Sequence, residues 1–230
     1  MNDLESRRQS GRVSVEPATA GTHDIVAIGA SAGGIQVLLD LVRALPVGFP
    51  AALLVVVHIG TRKSVLPQLL DRAGALPAAY ARQGEPIVPG RIYLAPPDMH
   101  LLVEDGHIVL SSGPRENRFR PAIDPLFRSV AQDFGRRVVG IVLSGALTDG
   151  TVGLASIKGR GGVTIVQDPA EAIISAMPAS ALAEVNIDHV LTTAGIQDFL
   201  MSLVRSTNSL PPPATNPRPR PSAPPRQPTF

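Results

Sequence analysis

The stretch Gly29-Ala30-Ser31-Ala32-Gly33-Gly34 places one hydroxyl among glycines. It follows the apolar run 24–28 and precedes the segment 35–45, whose apolar residues recur at helical spacing. A serine at such a strand-to-helix turn is raised out of the sheet edge, and the glycines let substrate and backbone approach closely. The following helix turns free N–H groups toward negative charge developing there. That arrangement suits nucleophilic attack on a carbonyl. The same hexapeptide also suits a glycine-rich turn that only reverses the chain or holds a phosphate. As a dinucleotide fingerprint it is degraded. Ser31 replaces the middle glycine, and no clear acid stands at the end of a second strand.

A serine hydroxyl is a weak nucleophile until a base takes its proton, and the base needs a carboxylate to hold its tautomer. In open α/β sheets, sites form at the C-terminal ends of strands. Two residues fit that rule. His58 directly follows Leu53-Leu54-Val55-Val56-Val57, and Asp149 lies in Gly145-Ala146-Leu147-Thr148-Asp149-Gly150 after the apolar run 139–143. Taken singly, His58 also suits a hydrogen-bonded structural histidine, and Asp149 a helix N-cap. Asp98, His100 and His107 flank a hairpin without recognised metal-ligand spacing, so no metal is expected. His23 stands at the entrance to the fold, and His189 near the last strand reads as structural.

The elements that must position these residues alternate. Apolar runs at 24–29, 51–57, 138–143 and 163–167 read as buried strands. Helical spacing covers 33–45, 63–73, 121–134, 149–159, 177–184 and 194–205. Alternation of this kind means βαβ units and a doubly wound, mostly parallel α/β sheet with helices on both faces. Residues 91–95 form a short strand stopped by Pro96-Pro97, and 100–104 and 107–111 flank Asp105-Gly106 as an antiparallel hairpin at one edge.

Composition narrows the function classes. The 230 residues are 44% hydrophobic but only 3% aromatic, so the core is built from Val, Ile, Leu and Ala. Cysteine is absent, which removes disulfides and thiolate chemistry. No apolar stretch is long enough to span a membrane, and the polar residues 1–16 lack the apolar core of a signal peptide. Cytoplasmic location and no membrane insertion are the expectations. The net charge of +2 is carried by the tail, where Arg218, Arg220 and Arg226 face no acid. The part between 22 and 205 is slightly acidic, so a nucleic-acid function is not expected. Residues 1–22 read as a disordered lead and 23–205 as one domain. Residues 206–230, with nine prolines after position 210, read as a disordered tail that either floats free or docks a partner.

Five blocks in order resemble the catalytic domain of the CheB family of chemotaxis protein-glutamate methylesterases. They are Ile25 to Gly34, Val55-Val56-Val57-His58, Pro89 to Pro96, Gly113 to Asn117 with Arg120 to Phe127, and Gly140 to Gly153 with Gln167-Asp168 and Ala176-Met177-Pro178. The resemblance implies a doubly wound fold and a triad in the order Ser31, His58, Asp149. It implies oxyanion donors at the Ala32 and Ala146 N–H groups, and no cofactor. It implies hydrolysis of glutamate γ-methyl esters on the cytoplasmic helices of methylated chemoreceptors, with glutamine deamidation through the same acyl-enzyme. The chain departs from the family pattern at Ala32, where threonine is usual, and at Leu147, where glycine is usual. The segment 59–64 lacks the usual proline-aromatic pattern, and the expectation is a catalytic domain without a receiver domain before the match. A non-catalytic adaptor with a docking tail and a small-molecule esterase are the rival readings.

Overall fold

The computed structural model describes residues 23–58 and 64–208. The N-terminal lead, the segment 59–63 and the proline-rich tail beyond 208 lie outside the described residues.

Continuous apolar runs too short for helices become strands that are buried on both faces. β1 (Ile25–Ala30) and β2 (Ala52–Val57) are buried at every position. β3 (Ala78–Tyr80) and β4 (Ile92–Leu94) follow. The hairpin strands are β5 (His100–Glu104) and β6 (His107–Ser111). β7 (Val138–Val142), β8 (Val163–Gln167) and β9 (His189–Leu191) complete the set. The helices are α1 (Gly34–Ala44), α2 (Leu66–Ala73), α3 (Ile123–Phe134), α4 (Thr151–Gly159), α5 (Ala176–Glu184) and α6 (Thr193–Asn208).

Seven strands form one parallel sheet in the order β3-β4-β2-β1-β7-β8-β9. Side chains alternate across it. On β1, Val26, Ile28 and Ala30 join a core with α1, α2 and α6. Ile25 and Ala27 join a second core with α3, α4 and α5. Helix α1 buries Leu38, Leu41 and Val42 completely, each worth roughly 2 kcal/mol relative to exposure. It stops at Leu45, which is extended ahead of Pro46, because a residue before proline is disfavoured in helical geometry.

The doubly wound parallel sheet and its flanking helices match the expectation, with ends differing by no more than three residues. The hairpin has the expected register, from His100 opposite Ser111 to Glu104 opposite His107. It stands as a two-stranded sheet of its own, tied to α3 where Val103 N–H donates to Ser129 Oγ (3.1 Å). The short edge strand β3 carries no sequence signal of its own, since Ala78-Ala79-Tyr80 is too brief for a period.

From β1 the chain moves outward to β2 and on to the edge strand β3, comes back in to lay β4 between β3 and β2, and then reverses to lay β7, β8 and β9 on the other side of β1. The crevice at such a reversal, beyond the carboxyl ends of the strands, is where open α/β sheets bind ligands. Here that crevice is formed by the ends of β2, β1 and β7.

Candidate active site

Ser31, His58 and Asp149 all lie at this crevice. Parallel register pairs Ala30 with Val57, so the next residues, Ser31 and His58, leave adjacent strands side by side. The His58 N–H donates to Ala30 O (3.1 Å), and the Ser31 N–H donates to Ser144 O (3.0 Å). Ser31 thus stands between the end of β2 and the end of β7. It is 7% exposed. Gly33 takes φ 84° as the N-cap of α1, and a Cβ there would meet Ser144 Oγ at 2.7 Å. Glycine is needed at that point for the chain to leave the strand and enter the helix directly behind Ser31.

His58 and Asp149 form a closed pair. His58 Nε2 and Asp149 Oδ2 are 2.8 Å apart, with the two side chains 3% and 0% exposed. The other ring nitrogen, Nδ1, is buried and has no hydrogen-bond partner. No hydrogen bond joins Ser31 Oγ to His58 among the described residues. Catalytic hydrogen bonds are commonly long in the absence of substrate.

Asp149 also accepts from the Ile123 N–H (2.7 Å) and the Asp124 N–H (3.1 Å) at the start of α3, and from Asn117 Nδ2 (2.8 Å). Burial opposes its ionisation, but the hydrogen bonds from His58, Ile123 and Asn117 prevail and hold its pKa below the ordinary aspartate value. Asp124 is the contrasting neighbour. Burial pushes its pKa up, the nearby Asp149 charge adds to that, and the Gly153 N–H (2.6 Å) opposes it. Asn117 Nδ2 bridges the two carboxylates, donating to Asp124 Oδ2 at 2.7 Å as well.

Asn117 sits in a tight turn. Glu116 and Phe119 exchange backbone hydrogen bonds of 3.1 and 2.8 Å, while Asn117 (φ 50°) and Arg118 (φ 74°) are both left-handed. Two successive positive φ values are the signature of a type I′ turn. Asparagine tolerates that region, whereas arginine there costs about 1 kcal/mol. The turn lays the Phe119 ring on the His58 imidazole, with centroids 3.5 Å apart and planes within 6°.

Ser144 locks the opposite wall. Its N–H donates to Gln167 Oε1 (2.9 Å), its Oγ lies 3.0 Å from Ala32 O, and it accepts from the Ile174 N–H (2.9 Å). Next to it, Gly145 has no room for a side chain. A Cβ would collide with Met177 Sδ and lie 2.7 Å from Ser31 Cβ. Leu147 takes φ 66° and is 46% exposed. The loop therefore keeps a left-handed conformation at that position even though the residue is not glycine.

Sequence reasoning placed Ser31, His58 and Asp149 at one crevice but assigned no role to Asn117, Phe119, Asp124 or Ser144. An Asn-Arg turn between Glu116 and Phe119 was the available signal for the first two. The contacts of Asp124 and Ser144 are long-range and leave no local pattern. The remaining polar residues are engaged elsewhere. Asp98 is held below the ordinary aspartate pKa by the Arg120 guanidinium, at 3.0 and 2.9 Å. Buried His100 contacts Pro114 O (2.9 Å) and the Ala122 N–H (3.2 Å). His107 Nδ1 lies 2.8 Å from Asp105 O, and His189 tilts against Phe199. Among the described residues no group of three His, Asp or Glu side chains could hold a metal ion. No described helix is long and apolar enough to cross a membrane.

Comparison with known proteins points the same way. Residues 26–200 match the family model described as CheB methylesterase. The protein-glutamate methylesterase/protein-glutamine glutaminase 2 of Anaeromyxobacter dehalogenans is 38% identical over 206 residues, which cover 89% of this chain and 59% of that protein. This chain thus spans less than two thirds of that relative's length. A Leptospira interrogans protein is 36% identical over 183 residues, covering 79% of this chain and 95% of its own. The crystal structure of the Thermotoga maritima CheB methylesterase catalytic domain superposes with a TM-score of 0.75 at 32% identity, covering 80% of this chain and 100% of that one. A switch-point crevice, a buried histidine–aspartate pair beside a serine turn, and a match through nearly all of the described chain converge: this chain belongs to the CheB methylesterase family.

Proposed function

We propose that this chain is a serine hydrolase that removes methyl groups from glutamate γ-methyl esters on the cytoplasmic helices of chemoreceptors. Ser31 is the nucleophile, His58 the general base and acid, and Asp149 the carboxylate that orients it. The observation that carries this reading is the buried His58–Asp149 pair, whose second ring nitrogen is unpartnered at the strand end next to Ser31.

Asp149 engages Nε2, so Nδ1 is the nitrogen left to take the Ser31 proton. Ser31 Oγ attacks the ester carbonyl as Nδ1 accepts its proton. The tetrahedral oxyanion meets the N–H groups of Ala32 and Ala146, to which no described residue is hydrogen-bonded as acceptor. The N-terminus of α1 adds its positive end. Collapse breaks the carbon–methoxy bond, and the methoxy oxygen takes the proton from His58 and leaves as methanol. Water then attacks the acyl-enzyme, gives its proton to His58, and the glutamate carboxylate departs as Ser31 regains its hydrogen. The same sequence on a glutamine amide releases ammonia, consistent with the paired activities in the name of the Anaeromyxobacter relative. Ionised Asp149 stabilises the imidazolium throughout.

The test is methanol release from a methylated receptor cytoplasmic fragment by wild type and by Ser31→Ala. The reading expects release that falls by several powers of ten in the variant, with folding unchanged. Absence of release by a folded wild-type chain whose Ser31 is also inert to a fluorophosphonate would support the adaptor instead.

A further inference from the structure

The stack of Phe119 on His58 has no place in the triad chemistry, yet the surrounding structure is built to hold it. Three side-chain anchors pin the turn that carries Phe119. Arg128 grips Glu116 through both carboxylate oxygens (2.9 and 2.7 Å). Asn117 bonds to Asp124 and Asp149. Arg120 bonds to Asp98 and to the carbonyls of Ser112 (2.6 Å) and Gly113 (2.8 Å). The strained Arg118 sits between these anchors. Strain that persists in a fully anchored turn points to a function for the geometry the turn imposes.

Resting on the proposed triad, we infer that Phe119 is a positioning residue for His58. It fixes the imidazole plane so that Nε2 stays on Asp149 and Nδ1 stays free for the Ser31 proton. The second dihedral of histidine is soft, so one hydrogen bond at Nε2 leaves the ring free to pivot about that contact. A parallel phenyl face 3.5 Å away removes the pivot. The stack also has a chemical preference. Face-to-face packing sets the negative faces of two neutral rings against each other. Once His58 has taken the Ser31 proton, the same contact becomes a cation over an aromatic face. The contact therefore strengthens as the proton moves, which favours the transition state over the ground state.

The test uses the full chain with Phe119→Leu and Phe119→Tyr, and reads methanol release, fluorophosphonate labelling of Ser31, and the NMR shifts of the His58 ring protons. In wild type those protons lie upfield, shielded by the phenyl face. In Phe119→Leu they move downfield, kcat falls by about 10- to 100-fold, and KM changes by less than about twofold, the size expected when a catalytic group is slightly misplaced. Phe119→Tyr restores both the shielding and the rate. Wild-type kcat in a folded Phe119→Leu chain, a loss confined to KM, or unshifted ring protons in wild type would each overturn the inference. If wild type neither labels nor turns over, the triad reading fails separately. The ring shifts then report the stacking alone, and the positioning role falls with the triad.

Discussion

Asn117→Ala removes a side-chain amide that lies between two buried carboxylates. Asp124 and Asp149 are 3% and 0% exposed, and Asn117 Nδ2 spends one hydrogen on each, at 2.7 and 2.8 Å. A hydrogen bond to an ionised group contributes about 1.5–3 kcal/mol. Two such bonds set an upper limit of about 6 kcal/mol, but Asn117 itself is exposed, so water can enter part of the vacated space. Asp149 also keeps His58 and two backbone donors. The expected loss is therefore about 2–4 kcal/mol at neutral pH. The loss is also pH-dependent, with a definite sign. The folded pKa of Asp124 is raised, so the folded chain retains a proton that the unfolded chain has released, and stability falls as pH rises between the two values. Removing a donor to its ionised form raises that pKa further. The stability gap between wild type and Asn117→Ala is thus largest above the folded pKa of Asp124 and narrows as the pH falls and the group takes up its proton. Urea denaturation across pH measures both quantities. A gap below about 1 kcal/mol at neutral pH, or one that widens on acidification, would refute the bridge.

Three further outcomes follow from the geometry. Gly145→Ala drives a methyl group into Met177 and Ser31, so it should cost about 1–3 kcal/mol in thermal or chemical denaturation and lower the Ser31 labelling rate as well. Leu147→Gly relieves a left-handed leucine at the cost of a more flexible unfolded chain, for a net gain of about 0.5 kcal/mol; a measured loss would mean that the exposed Leu147 side chain makes a stabilising contact. Asp149 is held ionised by its donors, so its contribution is complete above about pH 4 and is lost as pH falls through its lowered folded pKa; the stability gap between wild type and Asp149→Asn should be about 2–3 kcal/mol at neutral pH and shrink in acid, and a gap independent of pH would show that the charge is not what stabilises the pair.

What could be read along the chain was local. Runs such as Leu53-Leu54-Val55-Val56-Val57 are too short and too apolar for anything but a strand buried on both faces. Helical spacing after Gly34 and after Gly150 made the alternation visible. Given strand-helix alternation, the handedness of crossovers leaves few ways to wind the sheet, so Ser31, His58 and Asp149 could be set at strand ends from sequence alone. The edge strand β3 was not legible, because three residues beside β4 become a strand only through the pairing of Ala78 with Ile92.

Tertiary structure decided how those strand ends work together. Which ring nitrogen of His58 meets Asp149 depends on the hydrogen bond formed across 91 residues of chain, and no local pattern carries it. Phe119 reaches His58 only because the left-handed turn at Asn117 and Arg118 is pinned from three sides. The opposite pKa shifts of Asp124 and Asp149 arise from their surroundings: burial prevails at Asp124 despite the Gly153 N–H, whereas at Asp149 the hydrogen bonds from His58, Ile123 and Asn117 overcome burial. Periodicity in a sequence reports which residues turn inward, since burial repeats with the geometry of helix and strand. Hydrogen-bond partners and ring contacts between distant segments are chosen only when the packed elements bring them within a few ångströms of each other.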